Sequence, residues 1–276
     1  MSSISVVMSV YKAEKPAFLN LSMSSIWSEQ AVKPDEIILI EDGPLGKDLL
    51  KVIENWRCII GPRLKIIVNT DNIGLTKSLN KGIAIASSQY IARMDSDDIS
   101  TPNRFKLQAE FLDNHDDVHV VGGSISEFNA DNPNLGIRNF PRNNDSILKY
   151  IYKASPLAHP AVMMRKCIFD NGLTYNDNYR TSQDIALWFD VLKAGYKIAN
   201  LNEIVLKFRR DGDVFKRRSR AKAKNEFKIY LNGIRSIYGL ITWRYIFPIA
   251  RFCFRMMPVS VVKFIYGTNL RTKLLQ

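Results

Sequence analysis

Cysteine and histidine are scarce in this sequence, which has three of each among 276 residues. Cys58, Cys167 and Cys253 lie far apart and are odd in number. That pattern does not form a disulfide framework and is typical of a reducing compartment. The histidines add no CxxC or Cys/His cluster with the ligand spacing of zinc. We therefore expect neither structural disulfides nor a zinc centre.

Long hydrophobic runs are also missing. The most membrane-like segment, Trp243 to Tyr266, is interrupted by four Lys and Arg residues, and its longest uncharged run, Met256 to Val262, has only seven residues. A spanning helix needs about 20 apolar residues, so this segment is too short to cross a membrane. Met1 to Lys12 has neither a basic start nor a cleavable apolar segment, so we expect no export signal.

Glycine-rich phosphate loops are absent as well. No GxGxxG follows the first predicted strand, no GxxxxGK[ST] occurs, and residues Ser9 to Pro16 contain no glycine. These absences argue against dinucleotide-binding proteins and P-loop proteins. A nucleotide bound by this chain would be held by side chains and a metal instead.

The net charge of +12 comes from the last quarter of the chain. Lys207 to Gln276 holds 17 of the 39 Lys and Arg residues but only 3 of the 27 Asp and Glu residues, so the rest of the chain is nearly neutral. The basic segment is also rich in aromatic residues of the kind found at membrane interfaces. We therefore expect contact with an anionic membrane surface and no nucleic-acid partner.

Strand-like and helix-like patterns alternate from the N-terminus onward. Such alternation predicts an α/β fold, with a mostly parallel central sheet flanked by helices on both faces. The predicted strands are Ile4–Val10, Glu36–Ile40, Leu64–Val68, Tyr90–Met94, Val118–Ile125, Leu157–Met164 and Ile204–Phe208. The predicted helices are Pro16–Ser28, Lys47–Trp56, Thr76–Ala86, Arg104–Asn114, Asp184–Ala194 and Arg220–Ile237. Residues 129–144, rich in Asn, Asp and Pro, predict a loop, and no linker separates two independent domains.

Three carboxylates, Asp95, Asp97 and Asp98, follow the fourth predicted strand. Unpaired buried charges are costly, so these acids belong at an open edge, where α/β folds place their ligands. Grouped carboxylates suit a divalent cation such as Mg²⁺, which also holds substrate phosphates. The alternative is an acidic turn that caps the next helix. Thr101-Pro102 already supplies that cap, which favours a functional site.

Polar residues also follow the other predicted parallel strands, and the carboxyl ends of such strands share one edge of the sheet. They are Ser9 and Tyr11 after the first strand, Glu41 and Asp42 after the second, and Asn69 and Asn72 after the third. The pattern predicts one ligand site built from several strand ends.

Five segments resemble, in order, the signatures of family 2 glycosyltransferases. They are Ser9-Val10-Tyr11, Glu41-Asp42-Gly43, Asn72-Ile73-Gly74-Leu75, Asn80-Lys81-Gly82 and Arg93-Met94-Asp95-Ser96-Asp97-Asp98. The resemblance covers about residues 4 to 211, and it is strongest to the branch that assembles bacterial O-antigen, capsule and exopolysaccharide repeat units. It implies a GT-A fold over residues 1–211, an inverting reaction and a divalent metal, Mn²⁺ or Mg²⁺.

The same resemblance implies roles for single residues. Asp42 matches the acid that contacts the nucleobase, Asp95 the residue at the ribose, and Asp97 the metal ligand that bridges to the pyrophosphate. The full set expected to bind the nucleotide sugar is Ser9, Tyr11, Glu41, Asp42, Asn72, Lys77, Arg93 and Asp95.

Three later positions complete the expected site. Asp184 matches the catalytic base of the family's "ED" segment, although the first acid of that segment is here Gln183. An aspartate at a helix start can also be a simple cap, but the ordered match favours the base, because an acceptor hydroxyl must lose its proton as it attacks. Asp211 takes the place of a usual histidine, so it is either a metal ligand or the position is vacant. His159 matches a segment near the acceptor, although a lone histidine is often structural.

Residues 212–276 form a basic, amphipathic helical extension. We expect a helix pair at the membrane interface, with the protein cytoplasmic and peripheral on the inner face of the inner membrane. The alternative is a helix packed on the sheet with a solvated basic edge.

The expected function is transfer of a hexose from UDP-glucose or UDP-galactose to an undecaprenyl-diphosphate-linked sugar, in surface polysaccharide biosynthesis. A sugar-phosphate nucleotidyltransferase is the enzymatic alternative, and it would be expected to carry the glycine loop that is missing here. The non-enzymatic alternative is a catalytically inactive membrane scaffold. The presence of all four aspartates argues against it: Asp42, Asp95, Asp97 and Asp184.

Overall fold

The computed structural model describes residues 2–210 and 220–257, in which strands and helices alternate as the sequence predicts. The strands are β1 (Ile4–Val10), β2 (Glu36–Glu41), β3 (Leu64–Val68), β4 (Tyr90–Asp95), β5 (Ile99–Ser100), β6 (Val118–Phe128), β7 (Gly136–Arg138), β8 (Met163–Arg165) and β9 (Lys197–Arg209). The helices are α1 (Pro16–Trp27), α2 (Lys47–Ile60), α3 (Leu75–Ile85), α4 (Arg104–Asn114), α5 (Asn144–Leu148), α6 (Cys167–Asp170), α7 (Gln183–Lys193), α8 (Arg220–Tyr238) and α9 (Ile246–Met256).

All strands belong to one mixed sheet with the order β3-β2-β1-β4-β8-β6-β9-β5, and β7 pairs with β6. The first four strands in this order are parallel, and β6 is parallel to β9. Strand β8 is antiparallel to both β4 and β6, and β5 is antiparallel to β9. In the register, Ser9 lies opposite Ile40 on one side and Asp95 on the other, so β1, β2 and β4 end at the same edge.

The sheet has a hydrophobic core on each face, because successive strand residues point to opposite sides. One core takes side chains of α1, α2 and α4, and the other takes side chains of α3, α7 and α8. Ile37 and Leu39 of β2 belong to the first core, whereas Ile38 and Ile40 belong to the second. The predicted α/β architecture, with a mostly parallel sheet flanked by helices, is confirmed.

Two segments differ from the prediction. The predicted strand Leu157–Met164 is mostly irregular, with a 3-10 turn at His159–Ala161, and only Met163–Arg165 forms a strand. Pro156 and Pro160 lack backbone N–H groups, which explains why pairing begins only after them. The predicted loop over residues 129–144 contains the short strand β7, which extends β6 into a hairpin.

Helix α8 is part of the second core. Its Ile229, Tyr230 and Ile234 are buried in that core, so the apolar side of this amphipathic helix packs on the rest of the protein. A Cβ at Gly233 would overlap the ring of Phe189 in α7, so the two helices are in close contact there.

Helix α9 packs on α8 with an unusual distribution of side chains. Arg251 and Arg255 face α8, where both pair with Glu226. Ile246, Ile249 and Met257 are exposed, as are Leu240, Ile241 and Trp243 in the preceding connection. We call these six residues the outer apolar face. No helix within residues 2–210 and 220–257 is long and apolar enough to cross a membrane.

The contact between Gly233 and Phe189 makes a testable prediction about stability. A Gly→Ala change inside a helix normally stabilises by up to about 1 kcal/mol. Gly233→Ala should instead destabilise by about 1–3 kcal/mol, because its methyl group forces the buried Phe189 ring to move. Asn232→Ala, at the exposed neighbouring position, is the control and should change stability by less than about 0.5 kcal/mol. Urea unfolding of both variants measures the difference, and equal stabilities would contradict the close packing.

Candidate active site

An open cleft of about 510 Å³ lies at the edge where β1, β2 and β4 end. Sequence reasoning placed six of its lining residues in the site: Ser9, Tyr11, Asp42, Asn72, Asp95 and Asp97. Residues from four separate segments are therefore brought together, as expected for the carboxyl ends of parallel strands.

Asp42 shapes one wall of the cleft. Its carboxylate accepts hydrogen bonds from the backbone N–H groups of Ile73 (2.9 Å) and Gly74 (3.0 Å). The Asn72 side chain donates to the Asp42 carbonyl oxygen at 3.1 Å. Gly43 has a φ of 88°, and a Cβ there would lie 2.7 Å from the Asn72 backbone nitrogen, so only glycine fits. The Asp42-Gly43 turn and the segment before α3 thus form one rigid surface.

The three carboxylates after β4 form a cluster suited to a cation. Oxygen atoms of Asp95, Asp97 and Asp98 all lie within 4.8 Å of one another. Asp98 accepts a hydrogen bond from the Arg209 backbone N–H at 2.8 Å, while its Oδ2 atom is buried with no hydrogen-bond partner among the described residues. Divalent cations prefer such oxygen ligands.

Burial and mutual repulsion raise the pKa values of two carboxyl groups in the cluster. Burial, followed by the charges of Asp95 and Glu14, raises the pKa of Asp97 to about 6. Burial and the charges of Asp95 and Asp97 raise the pKa of Asp98 well above its usual value. A bound divalent cation would remove this repulsion, so the residues present fit a metal site.

Arg93 is a buried cation behind the cluster. Its Nη2 atom lies 2.5 Å from Asp95 Oδ1, and the residue is 2% exposed. Its Nε and Nη1 atoms are buried without a hydrogen-bond partner in the described part of the chain. Its positive charge counteracts the rise in the pKa of Asp184 and lowers the pKa of His159. Arg93 therefore couples the acidic cluster to the two other predicted site residues.

Asp184 lies in the first turn of α7, two residues after a strained residue. Ser182 has a φ of 60°, the left-handed region that a non-glycine residue rarely adopts and that often marks functional segments. Burial raises the pKa of Asp184, which strengthens the carboxylate as a proton acceptor, while the Ile185 N–H group and Arg93 limit the rise. The geometry is thus compatible with a general base.

The segment that leads to Asp184 is held by α3. Asn80 donates to the Tyr175 carbonyl oxygen at 2.8 Å and accepts from the Tyr175 backbone N–H at 3.0 Å. The Thr76 hydroxyl donates to the Tyr179 carbonyl oxygen at 2.7 Å. Helix α3 therefore connects the wall formed by Asp42 with the segment before α7.

His159 is buried rather than open to the cleft. Its Nε2 atom lies 2.7 Å from the Tyr175 hydroxyl, and its ring packs edge-on against Tyr175 and Trp188. Burial, with the charge of Arg93, lowers the pKa of His159 well below its usual value, so the ring is neutral near pH 7. Its role near the acceptor stays a prediction.

Besides Asp184 and His159, the predicted site residues Arg93, Glu41 and Lys77 do not line the cleft. The Glu41 side chain lines a separate cavity beside α2, where burial raises its pKa. Lys77 is exposed on α3 and is not a lining residue of the cleft, and Asp211 lies outside the described residues.

Glu14 and Arg209 are two charged residues of the cleft that the sequence did not predict as site residues. Glu14 accepts a hydrogen bond from the Ser96 hydroxyl at 2.5 Å. Arg209 donates from Nε to the Asp97 carbonyl oxygen at 2.8 Å, and its guanidinium group lies 3.8 Å from the Phe18 ring centroid. The Arg209-Arg210-Asp211 segment was a signal for Arg209, because it directly follows a strand, but nothing marked Glu14.

Known proteins resemble this chain over nearly its whole length. An uncharacterized glycosyltransferase of Haemophilus influenzae is 34% identical over 270 residues, which cover 97% of this chain and 98% of the relative. The UDP-Gal:alpha-D-GlcNAc-diphosphoundecaprenol beta-1,3-galactosyltransferase of Escherichia coli is 32% identical over 268 residues, covering 97% and 96%. The amylovoran biosynthesis glycosyltransferase AmsE of Erwinia amylovora is 32% identical over 264 residues, covering 95% and 97%.

Solved structures show the same fold at low sequence identity. The crystal structure of S. aureus TarS 1-349 has a TM-score of 0.64 and 18% identity, covering 92% of this chain and 71% of that chain. Its complex with UDP-GlcNAc has a TM-score of 0.61 and 17% identity, covering 94% and 82%.

The family comparison agrees with the geometry of the cleft. The model of glycosyl transferase family 2 matches residues 5–172, which include the ends of β1, β2 and β4 at the cleft and all three carboxylates of the acidic cluster. The chain therefore belongs to glycosyl transferase family 2, with a GT-A fold, and is a glycosyltransferase.

Proposed function

We propose that this glycosyltransferase moves a hexose from a UDP-sugar to an undecaprenyl-diphosphate-linked sugar during assembly of a bacterial surface polysaccharide. The observation that carries the proposal is the cleft in which the predicted nucleotide-binding residues meet three carboxylates. The name of the E. coli relative gives UDP-Gal and a diphosphoundecaprenol-linked sugar as its substrates, and that relative aligns over almost all of both chains. UDP-glucose and UDP-galactose are the donors we favour.

The donor would lie along the strand ends. Asp42 and Asn72 would receive the base, with Ser9 and Tyr11 beside it, and Asp95 would contact the ribose. Arg93 would fix Asp95 from behind. Lys77 and Glu41 lie farther from the cleft and would contribute only if the donor reorganises the walls.

A divalent cation, Mn²⁺ or Mg²⁺, would be held by Asp95 and Asp97, with Asp98 beside them and Asp211 as a further candidate ligand. When bound, the cation supplies positive charge that stabilises the departing UDP. Arg209 would add a fixed positive charge at the same wall of the cleft, since it lines the cleft and is held by Asp97 and Asp98.

Asp184 would act as the general base. As the acceptor hydroxyl attacks the anomeric carbon, its proton would pass to the Asp184 carboxylate. The new bond joins the acceptor oxygen to that carbon, and the bond to the UDP oxygen breaks on the opposite side, so the configuration inverts. The raised pKa of Asp184 favours this proton transfer. His159 would help to shape the acceptor side through Tyr175.

The outer apolar face would contact anionic lipid at the inner membrane. Apolar side chains exposed together on α9 are costly in water and mark an interaction surface. The exposed positions of α8 carry the bases Arg220, Lys222, Lys224, Lys228 and Arg235, which complement anionic head groups. Residues 1–211 would then form the catalytic domain, and residues 212–276 would bring it to a lipid-linked acceptor.

The first test of the function is a transfer assay. Wild-type protein with Mn²⁺, a panel of UDP-sugars and a GlcNAc-diphosphate lipid should release UDP with UDP-galactose or UDP-glucose. Asp97→Ala should abolish both transfer and metal-dependent UDP binding, because a cluster ligand is lost. Asp131→Ala, an exposed change in a distant loop, should leave both unchanged. Full activity of Asp97→Ala in EDTA-treated buffer would refute the metal mechanism.

The base assignment makes a separate prediction. Asp184→Asn keeps the size of the side chain but removes the proton acceptor, so kcat should fall by roughly 10²–10⁴-fold. The KM for the donor should hardly change, because Asp184 does not line the donor cleft. Steady-state kinetics separate the two parameters, and a raised donor KM with normal kcat would make Asp184 a binding residue instead.

Membrane contact is tested with two matched substitutions. Ile246 in α9 and Ile59 in α2 are 61% and 60% exposed, so a change to glutamate at either costs the fold little. Ile246→Glu should reduce co-sedimentation with anionic vesicles, and Ile59→Glu should not. Wild-type binding should weaken at high salt without disappearing, since only its electrostatic part is screened. If both variants bound the vesicles equally well, the outer apolar face would not be the membrane contact. Another part of the chain, or a second copy, would then cover it.

A further inference from the structure

Helix α8 runs alongside α7, and its N-terminal half lies next to the segment that precedes Asp184. Asn225 donates from its side chain to the Thr181 carbonyl oxygen at 2.8 Å, just before α7 begins. Farther along, Tyr230 packs edge-on against Phe189, and Gly233 touches the same ring. Both contacts progress in the same direction along the two helices, so α8 and α7 are parallel. Glu226 is therefore level with the first turn of α7, which holds Asp184.

Glu226 is a buried acid whose ion-pair partners within the described residues both belong to α9. It is 8% exposed, and its two carboxylate oxygens pair separately with Arg251 (3.1 Å) and with Arg255. Burying the Glu226 carboxylate has a desolvation cost, even though the side chains of Arg251 and Arg255 stay 26% and 41% exposed, and replacing a buried ion pair with apolar residues is often neutral or stabilising. Packing alone therefore does not explain why charges occupy this position.

We propose that α8 and α9 form a positioning element for the catalytic base, in which Asn225 fixes the backbone before α7 and the Glu226–Arg251–Arg255 cluster sets the charge beside Asp184. The proposal rests on the proposed role of Asp184 as the base. It assigns the C-terminal helices to the active site, in addition to any contact with lipid.

The electrostatics agree with this arrangement. The Glu226 charge contributes to the raised pKa of Asp184, whose main cause is burial. The other charged or titratable groups that act on Asp184 are Arg93 of β4, Tyr175 before α7 and Tyr230 of α8. The guanidinium group of Arg251 lies 4.7 Å from the centroid of the Tyr230 ring, so its positive charge is also close to this group of side chains.

Two substitutions with opposite charge effects test the proposal on the full chain. In Glu226→Gln the two guanidinium groups lose their partner, so the Asp184 titration should move to lower pH. In Arg255→Gln, Glu226 is less neutralised, so the titration should move to higher pH. Carbon-13 NMR of labelled aspartate carboxyl groups, with the Asp184 signal assigned from Asp184→Asn, measures both shifts without substrate. The double variant restores the wild-type charge and should titrate near wild type.

Controls and kinetics separate this idea from the proposed function. Lys106→Gln and Glu110→Gln alter an exposed pair on α4, 3.9 Å apart, and should not move the titration. Shifts in the same direction, or none, in the two cluster variants would overturn the proposal. With UDP-galactose and the lipid acceptor, the acidic limb of kcat should follow the NMR shifts. If the Asp184 carboxyl group titrates as expected but the acidic limb of the kcat profile does not shift, Asp184 is not the base. The proposed function fails in that case, and the positioning proposal does not.

The hydrogen bond between Asn225 and Thr181 is tested separately, by steady-state kinetics. Asn225→Ala should lower kcat by about tenfold, because a partly buried hydrogen bond holds the backbone just before the helical turn that carries Asp184. The donor KM should stay at its wild-type value. A rise in donor KM with unchanged kcat would show that Asn225 has no positioning role.

Discussion

Electrostatic repulsion after β4 is the constraint on which the rest of the site depends. Asp95, Asp97 and Asp98 lie together, and Glu14 adds a fourth acid at the same wall. Such a group is tolerable only if positive charge surrounds it. Arg93 supplies that charge from behind, and Arg209 holds the cluster from the last strand. The side of the cluster that still lacks a neutralising positive charge faces the cleft, where a substrate with its cation would bind.

The two arginines also explain why distant parts of the chain form one site. Arg93 acts on Asp184 and His159, which belong to the second half of the chain. Arg209 joins the end of β9 to the turn after β4. Helix α3 adds a third connection, because Asn80 holds both the N–H and the carbonyl group of Tyr175. The residues predicted for the donor and acceptor sides are therefore connected through neutralised charges and backbone hydrogen bonds.

Much of the fold and of the candidate site could be predicted from the sequence, because the alternation of strands and helices and the polar residues at strand ends follow local rules. The parallel part of the sheet, the cleft and the acidic cluster came from such patterns. The antiparallel β8, the burial of His159 and the displacement of Glu41 into another cavity depend on long-range packing. Glu14 and the Glu226 cluster depend on partners far away in the chain, which no local pattern reveals.

The orientation of α9 has a consequence for the handling of the isolated protein. A helix whose arginines pair with Glu226 and whose isoleucines are exposed has part of its positive charge neutralised, which weakens the repulsion between molecules. In detergent-free buffer, concentration would drive the outer apolar faces of different molecules together. Oligomers found under those conditions would report the insolubility of α9 rather than a quaternary arrangement of the enzyme. A small amount of mild detergent would then be the appropriate reference state for measuring its size in solution.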